Sequence, residues 1–457
     1  MHYPWWYIPF LTSPMLIAAI SILHVIVSHY AVGGGLFLAV ETSYAYRTKN
    51  KEYLSYLKDH AWFFILLTVV YGAITGVGIW WTIGLSSPLA TETLIHIFVF
   101  GWAMEYVCFI LEIASAFIFY YYWGLPDART HEIIGWIYGI SAWISLVLIT
   151  GITAFMLSPG TWLENKNFWI GFFNPQFFPQ TLSRTGGALL LTTLYVYLHA
   201  SIKLKDSPLK NLIESRSARP ALLGAILITA GGVGWFVMLP ESARAALAAA
   251  SVLNVLMVII FTITAVVFIM FYFGPYKNPG WLSPGFAILF LAMGFAAMTT
   301  GEYIREAVRK PYVVYNVVMS NQILPEEIPS IREKGYLESG VWTRAYVSDR
   351  YPQTISDGRI EEVKFLTLPE NEQVKLGEVI FQYACNDCHA IERGYSPVSH
   401  LVRGWTKDFI REVVRQPEKV HFFMPPFPGT PEEIELLTKY LASIAPSHPG
   451  GMNYGNN

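Results

Sequence analysis

The chain has 457 residues, of which 53% are hydrophobic, 16% aromatic and only 14% charged, with a formal net charge of −2. Soluble globular chains carry about 25% charged residues, so this balance excludes an ordinary soluble protein and points to a membrane chain. Its basic residues are scattered and mostly adjoin apolar blocks, which argues against nucleic-acid binding.

Eight apolar blocks, near 12–40, 61–84, 93–123, 132–157, 185–202, 220–239, 246–273 and 281–303, approach or exceed the roughly 20 helical residues that cross a bilayer. The first lacks the basic leader of a cleavable signal peptide, and its apolar run is too long for one. Trp5, Trp6 and Tyr7 before it suit an interfacial aromatic belt. Joints one, three, five and seven hold eleven basic residues: Arg47, Lys49, Lys51, Lys58, Arg129, Lys203, Lys205, Lys210, Arg216, Arg219 and Lys277. Joints two, four and six hold Lys166, Arg184 and Arg244. By the positive-inside rule the odd joints are cytoplasmic and both termini extracytoplasmic. The expected fold is all-α: a polytopic bundle of about eight spans in the inner (plasma) membrane, followed by a small helical domain on the periplasmic side. Composition places the boundaries at 1–311 for the bundle, 312–364 for an extracytoplasmic linker and 365–447 for the last domain.

Of the three cysteines, Cys385 and Cys388 stand in Cys385-Asn386-Asp387-Cys388-His389, the attachment pattern of a c-type haem. Two thiols so spaced add to the two vinyl groups of one porphyrin, and His389 ligates the iron. A zinc site would need a second ligand pair, and none follows. For the sixth ligand the loop His421-Phe422-Phe423-Met424-Pro425-Pro426-Phe427 offers Met424, with His421 as the alternative; a methionine raises the potential relative to a second histidine. Helices over Glu370–Ala384 and Thr430–Ile444, the second with a Thr-Pro-Glu-Glu start, complete what looks like a class I cytochrome c domain. Haem c is attached outside the cytoplasm, in agreement with the charge argument.

Ionisable groups inside spans mark cofactor or proton sites by default. His24 and His29 lie five residues apart, about 140° around the first helix, so they do not share one iron. Either could be a haem ligand, or a hydrogen-bonded core histidine. Glu105 and Glu112 lie on one stripe about 10 Å apart along the third span, suited to a proton path or, more plainly, to a pair of neutral acids. His60, His131 and His199, at cytoplasmic ends, are expected in solvated interface positions. The charges from Glu302 to Lys310 read as an interfacial anchor or a ligand segment.

These residues resemble subunit I of cytochrome bd oxidases over about residues 12–312. The resemblance is carried by His24, Gly33 and Glu41 with Thr42-Ser43-Tyr44, by Gly72-Ala73-Ile74-Thr75-Gly76, by Glu112 with Tyr122-Trp123, and above all by Gly301 through Tyr312. It implies that His24 and Glu306 are iron ligands of the membrane haems, one or two non-covalent groups of b or d type. It also implies that Glu112, with Glu105, belongs to the proton path, and that a second membrane subunit is the partner. The departures are specific. The family's low-spin haem histidine is replaced near Ser183-Arg184, its methionine is missing near Asn254, and its long quinol loop shrinks to Pro240–Arg244 and a few alanines. Arg184 and Arg309 become expected propionate contacts. The resulting expectation is an oxidoreductase subunit that exchanges electrons with periplasmic c-type carriers instead of quinol. The alternatives are a non-catalytic electron relay and a haem-free membrane anchor.

Overall fold

The polar joints carry the signals that start each helix. The computed structural model describes residues 1–8 and 10–445, so the last two residues of the expected 365–447 domain lie outside the described residues. Among the described residues eight helices are long and apolar enough to cross a membrane: α1 Ser13–Arg47, α2 Lys51–Ser86, α3 Val99–Tyr121, α4 Ala128–Phe155, α5 Phe177–Lys203, α6 Pro208–Val237, α7 Ser251–Tyr276 and α8 Pro284–Ala307. Asn50 caps α2 by accepting from Tyr53 N at 2.9 Å, and Asp127 caps α4 by accepting from Thr130 N at 3.1 Å. Ser207 and Ser283 cap α6 and α8, each with a proline at the first helical position. These caps satisfy backbone donors that would otherwise lack partners at a helix start.

With no water to expel between spans, helices associate by close approach of small residues. A Cβ on Gly186 of α5 would stand 2.6 Å from the Gly224 carbonyl of α6, so the backbones meet there and only glycine fits. Gly33 of α1 is pressed in the same way against Ala188 and Thr192 of α5. α5 is thereby the most enclosed of the spans, with 67% of its apolar window buried against 11% for α7. The remaining helices leave apolar faces exposed, as a bilayer requires.

The chain forms two compact units. One holds residues 18–81 and 93–308, the helix bundle; the other holds residues 1–17, 82–92 and the described residues from Arg309 onward. In the second unit, α9 Glu370–Ala384 and α11 Pro431–Ile444 cross where Gly377 meets the Leu436 carbonyl. α10 Lys407–Arg415 packs beside α11. The expected Thr-Pro-Glu-Glu start of α11 is a full capping box between Thr430 and Glu433. Leu376, Ile380, Phe381, Leu436, Leu437 and Tyr440 share one core with Ile331, Tyr336, Leu337, Val347 and Phe365. Residues between 323 and 365 are therefore folded onto the C-terminal helices. Two small antiparallel pairs, β1 Tyr312–Val314 with β2 Val318–Met319 and β3 Ile355–Ser356 with β4 Arg359–Ile360, are the sheet content of the described residues.

Candidate functional site

In the C-terminal unit α9 stops at Ala384 and the chain bends, with Cys388 N and His389 N both donating to the Cys385 carbonyl at 3.1 and 3.0 Å. Neither Cys385 nor Cys388 is in a disulfide. Burial, reinforced by Cys388 and Asp387, pushes the Cys385 thiol up to about 12, so it is a neutral S–H at physiological pH. His389 Nδ1 lies 3.1 Å from the Ser396 carbonyl. A carbonyl can only accept, so Nδ1 carries the proton and Nε2 presents its lone pair, the arrangement that orients an iron-ligating imidazole. Burial, with the His421 imidazole adding to it, lowers the His389 pKa and favours that neutral form. Met424 and His421 share one turn, in which Met424 N donates to the His421 carbonyl at 2.9 Å; Met424 is half-buried and His421 exposed. Two thiols, a neutral imidazole and a downstream thioether are the donor set that a covalent haem needs. Among the described residues no group of three or more His, Cys, Asp or Glu could hold a bare metal ion, so the porphyrin would have to supply the remaining ligands.

The N-terminal segment lies on this motif. Trp5 Nε1 donates to Asn386 Oδ1 at 3.3 Å, Trp5 N to the Tyr383 hydroxyl at 3.4 Å, and Tyr395 N to the Phe10 carbonyl at 3.0 Å. Asp387 is buried. Its pKa is pushed up to about 6 by desolvation, against the opposing effects of a Ser13 hydrogen bond and the Lys310 and N-terminal cations. Trp5 thus serves the haem motif as a hydrogen-bond donor, a use that the aromatic-belt expectation missed because its partners lie nearly four hundred residues away.

In the bundle His24 Nδ1 lies 3.1 Å from Thr75 Oγ1. That hydroxyl spends its proton on the Tyr71 carbonyl at 2.9 Å, so it accepts from His24 and leaves His24 Nε2 as a lone-pair donor. Gly76 makes the room, since a Cβ there would stand 3.1 Å from His24 Cε1. His29 points elsewhere, towards Gly187 of α5, and its Nδ1 donates to the Val25 carbonyl at 2.9 Å. Around it stand Arg184, which donates to Thr150 Oγ1 at 3.5 Å, and the Glu302–Arg305 ion pair at 2.7 Å. Glu302 and Arg305, which the sequence offers as an interfacial anchor, therefore form a charged cluster with His29 and Arg184, drawn from α1, α5 and α8. Glu306 follows one residue after Arg305 at the end of α8 and is in electrostatic reach of it. Arg309, in the other unit, is 4% exposed and donates to the Val313 carbonyl at 3.0 Å.

Ser145 of α4 joins the two acids of α3. Its hydroxyl donates to Glu105 Oε1 at 3.1 Å and it also contacts Glu112. Met104, the residue before Glu105, is exposed, while Glu105 meets α4 through Ser145. Glu112 Oε1 is buried without a hydrogen-bond partner.

One expectation fails. His60, His131 and His199 are 0%, 0% and 5% exposed. The polar joints do not bring water to them, because partners from distant helices close over each ring. His131 lies between the Tyr46 hydroxyl and the Phe119 carbonyl, each at 2.9 Å. His60 and His199 meet Nδ1 to Nδ1 at 3.1 Å.

Residues 13–236 match the family described as "Cytochrome bd terminal oxidase subunit I", and residues 372–441 match "Cytochrome C oxidase, cbb3-type, subunit III". The bd oxidase structure from Geobacillus thermodenitrificans is similar in fold, with a TM-score of 0.58 and 16% identity over 66% of this chain and 87% of that one. An adenylate kinase of Rickettsia bellii (strain RML369-C) is 21% identical over 98 residues, 20% of this chain; the chain spans less than half (46%) of that relative's length. The sequence has no Gly-Lys pair, which a phosphate-cradling P-loop requires, so this likeness carries no nucleotide chemistry here.

Proposed function

We propose that this multi-pass membrane chain, with its match to cytochrome bd subunit I at residues 13–236 and to a cytochrome c domain at 372–441, is the subunit of a bd-like oxidoreductase that takes electrons from periplasmic c-type carriers. Cys385, Cys388 and His389, with Met424, would hold a haem c that accepts those electrons, and His24 and Glu306 would hold one or two b- or d-type haems. The observation that carries this reading is the His24 side chain, tautomer-fixed by Thr75 so that Nε2 carries the lone pair. Bound there, haem iron supplies one-electron transfer and a coordination position for a small oxidant such as dioxygen.

The chain's own residues do the rest. Glu105, Ser145 and Glu112 hold protons on one polar line and hand them towards the haem side. Arg184 and Arg309, always protonated, would pair with propionates. Guanidinium cannot ligate iron, so Arg184 leaves no place for the family's low-spin haem in its usual form. The segments 1–17, 82–92 and 309 onward, gathered in one unit, fall on one common side in an eight-span count, the side this reading takes as extracytoplasmic. This agrees with the excess of basic residues in the odd joints. The exposed apolar helix faces suit lipid and a second membrane subunit of the bd family.

The test is a pyridine haemochrome count per chain, followed by oxygen uptake with reduced cytochrome c. One c-type haem plus one or two others, with cytochrome c-driven uptake, is the expected result. A c-type haem alone would sink the reading and leave a membrane anchor. Membrane haem without uptake of any small oxidant would leave an electron relay.

A further inference from the structure

The His60–His199 contact has no part in the haem sites, yet it is among the most enclosed polar contacts in the bundle. Two imidazoles that meet Nδ1 to Nδ1 at 3.1 Å share one proton, which can sit on either ring. Each ring has a further partner: the Tyr30 hydroxyl lies 3.1 Å from His60 Nε2, and the Tyr56 hydroxyl 3.3 Å from His199 Nδ1. His199 is four residues from the cytoplasmic end of α5, where Lys203 and Asp59 are its charged neighbours and both are exposed. At the other end of the chain of contacts, Tyr138 neighbours both Tyr30 and Glu112. Beside Tyr138 is a cavity of about 10 Å³ between Ala61, Phe64, Ala116 and Gly135, roughly the space of one water. Glu112, about one helical turn before Ala116 of that lining, has a buried Oε1 without a hydrogen-bond partner.

We propose that His199, His60 and Tyr30 are a proton-entry relay that carries protons from the cytoplasmic end of the bundle, by way of Tyr138, to Glu112. This rests on the reading of Glu105 and Glu112 as a proton path and extends it to a source. The steps balance without redox change. His199 passes the shared proton to His60 Nδ1, and His60 releases the proton on Nε2 to the Tyr30 hydroxyl. Tyr30 gives up its own proton towards Tyr138 and Glu112, and His199 is reprotonated from the aqueous end. Each link takes a proton on one atom and releases one from that atom or another, so no net charge remains on any residue after a turn. An amide pair would hold the helices together equally well, but an amide cannot pass a proton on; imidazole can, near neutral pH.

The experiment uses the whole protein with its partner subunit in phosphatidylcholine vesicles, cytoplasmic face inward, with a pH dye trapped inside. The membrane haems are reduced through haem c, and proton uptake from the lumen is timed. His60→Gln and His199→Gln, which keep a hydrogen bond, should each slow uptake at least tenfold while haem content and haem c potential stay at wild-type values. Tyr30→Phe keeps the ring stacked on Tyr195 (centroids 4.3 Å apart) and should slow uptake by a similar factor; it serves where a histidine variant fails to assemble. Imidazole added to the lumen should restore part of the rate in the His199 variant, which a merely structural histidine would not allow. Wild-type uptake rates in the assembled variants, or uptake from the outer face, would overturn the relay. A wild-type protein without membrane haem overturns the underlying reading instead, and the haem count shows this before any uptake is timed.

Discussion

The two compact units orient a histidine in the same way, but from opposite distances along the chain. In the C-terminal unit His389 is held by the carbonyl of Ser396, seven residues on. In the bundle His24 is held by the hydroxyl of Thr75, 51 residues on and in another helix. The Ser396 carbonyl can only accept, and the Thr75 hydroxyl has its proton on the Tyr71 carbonyl, so in both cases Nδ1 is protonated and Nε2 carries the lone pair. The C-terminal site is built into one turn of chain and depends little on how helices dock. The bundle site exists only when α1 and α2 are packed, because Gly76 must let the ring approach and Thr75 must meet it. Covalent attachment suits the first environment, and reversible binding inside an assembled bundle suits the second.

The comparison breaks first, and with the largest effect, at the thiols. Cys388→Ser should abolish or cripple covalent haem while the bundle and its non-covalent haem persist, because the two units have separate cores. Haem-stained denaturing gels measure this, and undiminished staining would refute the attachment site. Next in size, His24→Ala should remove one non-covalent haem and leave haem c intact. Thr75→Val should keep that haem but weaken its binding by about 10–100-fold, the usual cost of losing the group that orients a ligating histidine. If His24→Ala retains all non-covalent haem, His29 or another helix supplies the ligand. A smaller change sharpens the C-terminal side. Met424→Ala should lower the haem c potential and remove the methionine–iron absorption band, whereas His421→Ala should do neither. The reverse pattern assigns the distal position to His421.

Distances along the chain also decide what could be read from the residues alone. The eight spans were legible because crossing a bilayer is a matter of composition over about 20 residues, and the haem c motif because five consecutive residues carry it. The α11 start was legible for the same reason, since Thr430 and Glu433 cap one another within a turn. What depends on docking was not legible. His60 and His199 are 139 residues apart and read as solvated, yet they are buried face to face. Trp5 read as a membrane-interface residue because Asn386 and Tyr383 are far along the chain. Glu302 and Arg305 read as an anchor or a ligand segment, and their neighbours Arg184 and His29 could not be read because they come from other helices. Ser145, which links the two acids of α3, carries no signal of its own in an apolar span.

The smallest expected effect belongs to a carboxylate pair where residues 323–365 meet α11. Glu433 accepts from Tyr336 N, Leu337 N and Thr430 N at 2.7, 2.7 and 3.0 Å, which opposes but does not cancel the burial that raises its own pKa. Burial, with the Glu433 carboxylate adding to it, pushes Glu362 up to about 8 from an ordinary value of 4.5. Glu362 therefore carries a proton in the native state over a range where the unfolded chain has lost it. Because the native state binds more protons there, stability falls as pH rises from about 4.5 and levels off near 8. Partial exposure screens the effect, leaving about 1–2 kcal/mol across that window, or about 2–8 °C in the unfolding midpoint of a unit this size. The midpoint, followed by haem c absorbance in the full chain, should be higher at pH 5 than at pH 8, and Glu362→Gln should flatten most of that slope. A wild-type midpoint that rises over the same range would mean that Glu362 is ionised in the fold, and that the pair is held by a cation instead of a proton.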